Sequence, residues 1–157
     1  MGIMEAKSQE YLDKYLESLT DSERSKYHSF SADYFCADEK NANLCAELIS
    51  IGQKTATCGL KYWYESNDEP MPTTGHLMVV TNWDGTPICI VEINSVEESK
   101  YSDVTAEFAF LEGEGDRSLE WWRKAHWNFF AKECEELNIE PCEEMMLILE
   151  TFHVVYQ

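Results

Sequence analysis

The hydrophobic pattern changes period at Gly52, and that change limits the chain to folds that mix helix and sheet. Before it, Ala42, Cys45, Leu48 and Ile49 recur at the three-and-four spacing of an amphipathic helix, which Asp38 is placed to cap. Gly52 supplies the conformational freedom a helix end needs. After it, residues 53–64 alternate, with Ala56, Cys58, Leu60, Tyr62 and Tyr64 on one side of a predicted strand.

The rest of the chain supplies more of both element types. Tyr11, Leu12, Tyr15, Leu16 and Leu19 predict an amphipathic helix over residues 8–19, and Thr20 with Glu23 has capping-box spacing for a short second one. Residues 27–35 are aromatic and aperiodic, and are expected to pack as an irregular segment. Residues 65–74, with Pro70 and Pro72, read as a loop. Strands are expected at 76–82 and 86–96 around the hairpin turn Asn82-Trp83-Asp84-Gly85. Ser102 or Asp103 is expected to open a helix that runs to Leu111. Ser118 or Asp116 should cap a long helix striped by Leu119, Trp122, His126, Phe129, Phe130 and Leu137. A final strand falls at 145–156. Short, hairpin-linked strands with inserted helices give an α+β domain with a small curled or closed sheet.

The 157 residues, 44% hydrophobic, suit one core. Thirty acidic against twelve basic residues leave a formal charge of -18, which argues against general duplex DNA binding but leaves room for a small ligand. No apolar run is long enough for a membrane span, and the first ten residues lack a signal-peptide core, so a cytoplasmic location is expected. The six cysteines are then expected to be reduced. Their spacing does not suggest a zinc site, and most read as small apolar fillers.

Chemistry concentrates in two polar bends. In residues 52–57, Lys54 and Thr57 converge only if Lys54 lies in the bend while Thr57 points inward. A lysine held partly out of water has a depressed pKa and can act as a base toward a threonine hydroxyl; a surface lysine and an ordinary strand threonine are the plainer alternative. In residues 112–119, Glu112, Glu114 and Asp116 alternate with glycines. They read most simply as a solvated turn in which Asp116 caps the helix, then as an acid/base pair, and last as a hard-cation site. Arg117 opposes the cation reading, and His126, inside an apolar stripe, reads either as a core histidine or as a catalytic one.

Gly52-Gln-Lys54-Thr-Ala-Thr57 matches the G-x-K-x-x-T motif of the ASCH domain family. The run from Glu112 to Phe130 resembles the signature of its YhfF-like branch, E-G-E-G-D-x-S-L-x-x-W-R-x-x-H-x-x-F-F. The resemblance covers residues 27–157 and leaves 1–26 as an N-terminal helical extension. It implies a small PUA-like β-barrel with flanking helices, and a cleft that binds RNA, a nucleotide or a nucleoside. Relatives are described as amidohydrolases of acylated cytidine or as ribonucleases. By position, Lys54 and Thr57 match catalytic residues of the amidohydrolase-like members, with Glu114 the first choice of acid partner and Glu112 the second. Glu112, Asp116, Arg117, Ser118, Trp122, Arg123 and His126 are expected to line the cleft and bind substrate. No cofactor is expected, although a divalent ion would suit phosphodiester cleavage. The expected partner is a nucleoside, a nucleotide or single-stranded RNA, and an oligomer is compatible with the sequence. The competing reading is a regulatory module that binds RNA or a small ligand without turnover.

Overall fold

The computed structural model describes residues 4–157, so the first three residues of the expected non-signal N-terminus lie outside it. The elements run α1 (Ala6–Glu17), α2 (Asp21–Arg24), β1 (Phe30–Asp33), α3 (Glu39–Ser50), β2 (Ala56–Leu60), α4 (Lys61–Ser66), β3 (Leu77–Thr81), β4 (Pro87–Lys100), α5 (Ala106–Glu112), α6 (Leu119–Glu136) and β5 (Met146–Tyr156). They form an α+β domain around a five-stranded sheet of order β1-β3-β4-β5-β2. β1 runs parallel to β3 and the other pairs are antiparallel, so the sheet is mixed.

The fold departs from the sequence reading at its two edges. The segment 27–35 contains β1, a strand whose partner begins at Leu77, far along the chain. Four residues of an edge strand carry too little alternation to announce themselves. At the other edge, the strand expected over 53–64 is only Ala56–Leu60, and Tyr62 and Tyr64 belong to α4. A run of aromatic residues fits either period, and here Trp63 packs beneath α6. A closed barrel is not seen: β1 and β2 are edge strands, and no ladder joins them among the described residues.

Three apolar clusters hold helices to the sheet. Leu12 and Tyr15 of α1 bury against Leu77, Val79 and Ile90. Ala46 and Ile49 of α3 pack on Val80, Cys89, Val91 and Phe152. Strand residues alternate in facing, so α1 and α3 cover opposite faces of the β3–β4 hairpin. Under α5 and α6, Phe108, Trp122 and Phe130 close on Ala56, Leu60 and Leu147. Each large apolar side chain so buried contributes about 1.5–3 kcal/mol.

Local signals place most boundaries. Thr20 and Glu23 form the capping box. Asp38 caps α3 through Asn41 N–H, and Ser118 caps α6 through Trp121 N–H. The helix expected to open at Ser102 or Asp103 instead starts after Thr105, which accepts from Phe108 N–H; Tyr101–Asp103 form a separate 3-10 turn. The hairpin falls where expected, and β4 continues to Lys100.

Candidate functional site

The two polar bends face each other. After α3, the Gln53 and Lys54 amides both turn back to Leu48 O, at 2.9 and 3.0 Å. Thr55 N–H then donates to Leu111 O at 2.8 Å, and the Gln53 side-chain amide donates to Gly113 O at 2.7 Å. Gly113 sits at φ +74°, where a Cβ would collide with the Gln53 carbonyl, so only glycine lets the segments approach this closely. Arg117 clamps the junction. Its guanidinium lies 3.6 Å over the Phe110 ring, donates to Phe110 O at 3.0–3.1 Å and reaches Gln53 O at 3.4 Å.

Lys54 is the centre of the junction, its side chain only 1% exposed. Its ammonium donates to Ala56 O (2.9 Å), Glu112 Oε1 (2.9 Å), Glu114 Oε2 (3.0 Å) and, more loosely, Glu112 O (3.3 Å). Burial alone pushes the group toward neutrality, but the charges of Glu112 and Glu114 outweigh it and hold the pKa above the ordinary lysine value. The depressed lysine pKa expected from the sequence is therefore reversed, because two carboxylates reach the same nitrogen.

Glu112 is enclosed on its other oxygen as well. Oε2 accepts from Trp122 Nε1 at 2.6 Å and from Cys58 Sγ at 3.2 Å, and His126 Nε2 lies 3.3 Å away. Burial would raise this carboxyl, yet Lys54, His126 and the indole N–H together hold it well below the usual carboxylate range. His126 Nδ1 stands 2.9 Å from Trp122 O, which can only accept, while Nε2 faces an ionised carboxylate. This pair of neighbours favours the protonated ring. Its pKa is raised because Glu112 outweighs the opposing effect of burial.

Glu114 differs: its side chain is 19% exposed, and its free oxygen, Oε1, lies 3.7 Å from Cys45 Sγ. Cys45 in turn stands 3.1 Å from the exposed Cys36. Asp116 points elsewhere, accepting from Ser118 N–H and Oγ–H at 2.9 and 2.6 Å. The three alternating carboxylates thus do not share a face, and no hard-cation trio is assembled from them.

Thr57 is not among the partners of Lys54. Cys58 meets Glu112, so its strand neighbour Thr57 faces the other side of β2, register-paired with Glu150. Burial first, and then the charge of Glu112, push Glu150 up to about 7. Arg123 also lies apart, in a recess of about 570 Å³ with Tyr101, Lys124 and Trp127. A smaller recess of about 270 Å³ is lined by Lys54 with Ile49, Gly52, Thr55 and Phe152. Cys36, Cys45, Cys58 and Glu150 escaped the sequence reading. Cys45 has the helical spacing of a core residue and Cys58 that of a core strand residue, and no spacing links either to the acids they meet.

The ASCH domain model matches residues 31–156. The crystal structure of an ASCH domain from Lactobacillus crispatus is 58% identical, covering 98% of this chain and 97% of that one, with a TM-score of 0.96. The crystal structure of a protein from Enterococcus faecalis is 25% identical, covering 98% and 88%, with a TM-score of 0.78. No curated protein matches the chain. From the extent of the family match and of the identity to the Lactobacillus crispatus domain, this chain belongs to the ASCH domain family.

Proposed function

We propose that this protein hydrolyses the amide of an acylated nucleoside or a close analogue, with Glu114 as the group that meets water and substrate. The observation that carries this reading is the division of labour around Lys54: one carboxylate is sealed inside, while the other is oriented by the same ammonium yet partly open to solvent. An ammonium that stays charged fixes Glu114 and offers positive charge to an oxyanion at the rim, so Lys54 acts electrostatically rather than as a base. Glu114 then takes the proton from water as its oxygen adds to the acyl carbon, and returns that proton to the leaving nitrogen as the C–N bond breaks; Thr57 contributes only if substrate binding brings the two faces of β2 into one cleft. The charge of -18 favours a nucleoside-sized ligand over RNA.

A second reading, a ligand-binding module without turnover, is favoured by the full coordination of Lys54, which leaves no free base there. Hydrolysis of a panel of N4-acylated cytidines and short RNAs, with and without Mg²⁺ or Mn²⁺, separates the two. Turnover on the cytidines that is lost in Glu114→Gln supports the hydrolase. Saturable binding with no turnover on either half of the panel supports the module.

The same reading extends to the whole chain. Residues 1–26 are an extension on a domain of 27–157, and the sheet is the framework of a PUA-like barrel with β1 and β2 as the strands that would close it. The free cysteines suit a cytoplasmic location. Among the described residues, no helix is long and apolar enough to cross a membrane.

A further inference from the structure

We propose that Cys36, Cys45 and Glu114 form a binding site for a thiophilic divalent cation, with zinc(II) the best match. The inference goes beyond the hydrolase reading and shares Glu114 with it: the carboxylate is a ligand when the ion is bound and a free base when it is not. The donors come from the loop after β1, from α3 and from the turn between α5 and α6, and their ligand atoms all lie within 4.8 Å of one another. Cysteine spacing alone had argued against zinc, because the third donor joins the pair only in space.

The distances suit a tetrahedral ion. With Zn–S near 2.3 Å and Zn–O near 2.0 Å, two sulfurs stand about 3.7 Å apart and a sulfur and an oxygen about 3.5 Å. Cys45 Sγ to Glu114 Oε1 is already 3.7 Å. Cys36 Sγ to Cys45 Sγ is 3.1 Å, so the exposed Cys36 needs only a small outward rotation.

Independent features hold the donors in place. Cys36 has φ +71°, a left-handed conformation that a cysteine rarely adopts, so its position is imposed by its surroundings. Phe35 before it stacks on Phe152, and Asp38 after it caps α3. Lys54 binds Glu114 Oε2 and so leaves Oε1 toward the thiols, as an outer-shell partner orients a metal ligand. Two thiolates and a carboxylate on a divalent ion leave one net negative charge, which the adjacent ammonium offsets. Three protein ligands, one of them exposed, leave a fourth position open to solvent, the pattern of catalytic rather than structural zinc.

A second cluster, Cys58, Glu112 and His126, lacks these properties. There Glu112 Oε2 already takes the Trp122 N–H, and His126 Nδ1 is turned onto Trp122 O. It is a hydrogen-bonded core.

The test is cobalt(II) titration of reduced, chelator-stripped protein. We expect one equivalent to give a near-ultraviolet thiolate-to-metal band and tetrahedral visible bands, with zinc(II) displacing both. Cys36→Ser, on the surface and so compatible with folding, should weaken binding at least about tenfold and remove the rise in Tm that zinc gives the wild type. Glu114→Gln should weaken it similarly while leaving the near-ultraviolet circular dichroism unchanged. No band in the wild type at tenfold excess cobalt would overturn the proposal, as would a band of equal strength in Cys36→Ser. A two-dalton mass loss under mild peroxide without any cobalt band would also overturn it, making Cys36 and Cys45 a redox pair. Since metal binding is read without turnover, failure here leaves the hydrolase reading standing, and the reverse holds.

Discussion

Glu112 and Glu114 stand two residues apart, bind the same ammonium and live in different worlds. The inner acid is 2% exposed at its side chain and touches Lys54, Trp122, Cys58 and His126. Among the described residues, the side chain of the outer acid hydrogen-bonds only with Lys54 and a thiol, with solvent beyond. The sequence around each is nearly the same, Glu-Gly against Glu-Gly, so the difference comes from what packs on them: the first turns of α6 against one, Cys45 of α3 against the other. A charge enclosed on every side specifies the fold, and a charge enclosed on one side is available for chemistry.

The largest expected effect tests the inner half. Lys54→Met takes the ammonium from the interior and leaves Glu112 with only His126, the Trp122 N–H and the Cys58 thiol beside it, and should destabilise the protein by about 3–5 kcal/mol in chemical denaturation. Adding Glu112→Leu should recover most of that loss. If the single variant lost under 1 kcal/mol, Glu112 would have to be solvated or protonated, and the contrast with Glu114 would collapse.

Next comes Trp122→Phe, which keeps the aromatic packing but removes the N–H that Glu112 accepts at 2.6 Å. A loss of about 2 kcal/mol is expected, since this bond is made to a charged group. An unchanged denaturation midpoint would mean that water replaces the indole, and that the inner acid is no more enclosed than the outer.

Glu150 sharpens the comparison as a half-buried acid with no cation in contact among the described residues. Its folded pKa of about 7 lies above the unfolded value, so between roughly pH 4.5 and 7 the folded state binds more protons and stability falls as pH rises. Glu150→Gln removes this dependence and should gain about 1 kcal/mol on the wild type at pH 8 relative to pH 5, read by thermal unfolding at both pH values. An equal difference at the two pH values would show that Glu150 is solvated.

Much of the frame was legible because the signals were local. Thr20 with Glu23, Asp38 and Ser118 cap helices from within a few residues, and Asp84-Gly85 turns a hairpin by its own backbone preference. β1 was not legible, since its ladder depends on Leu77 and its neighbours rather than on anything near Phe30. The meeting of the two bends could be anticipated from their glycines and charges. The protonation of Lys54 could not, because its sign depends on whether one or two carboxylates arrive within 3 Å. Arg123 shares the signature run with Glu112 yet lines a different recess, since α6 turns it away from Trp122.

The smallest expected change in stability belongs to Glu114→Gln, about 0.5 kcal/mol, because the residue is part-exposed and Lys54 keeps Glu112. That variant supplies the most direct measurement: turnover of an N4-acylated cytidine by Glu114→Gln and by wild type, at a temperature where both are fully folded. The account predicts hydrolysis by the wild type and a loss of at least about a hundredfold in the variant. Hydrolysis within twofold of wild type would contradict it, and would place the chemistry somewhere other than the part-exposed carboxylate of Glu114.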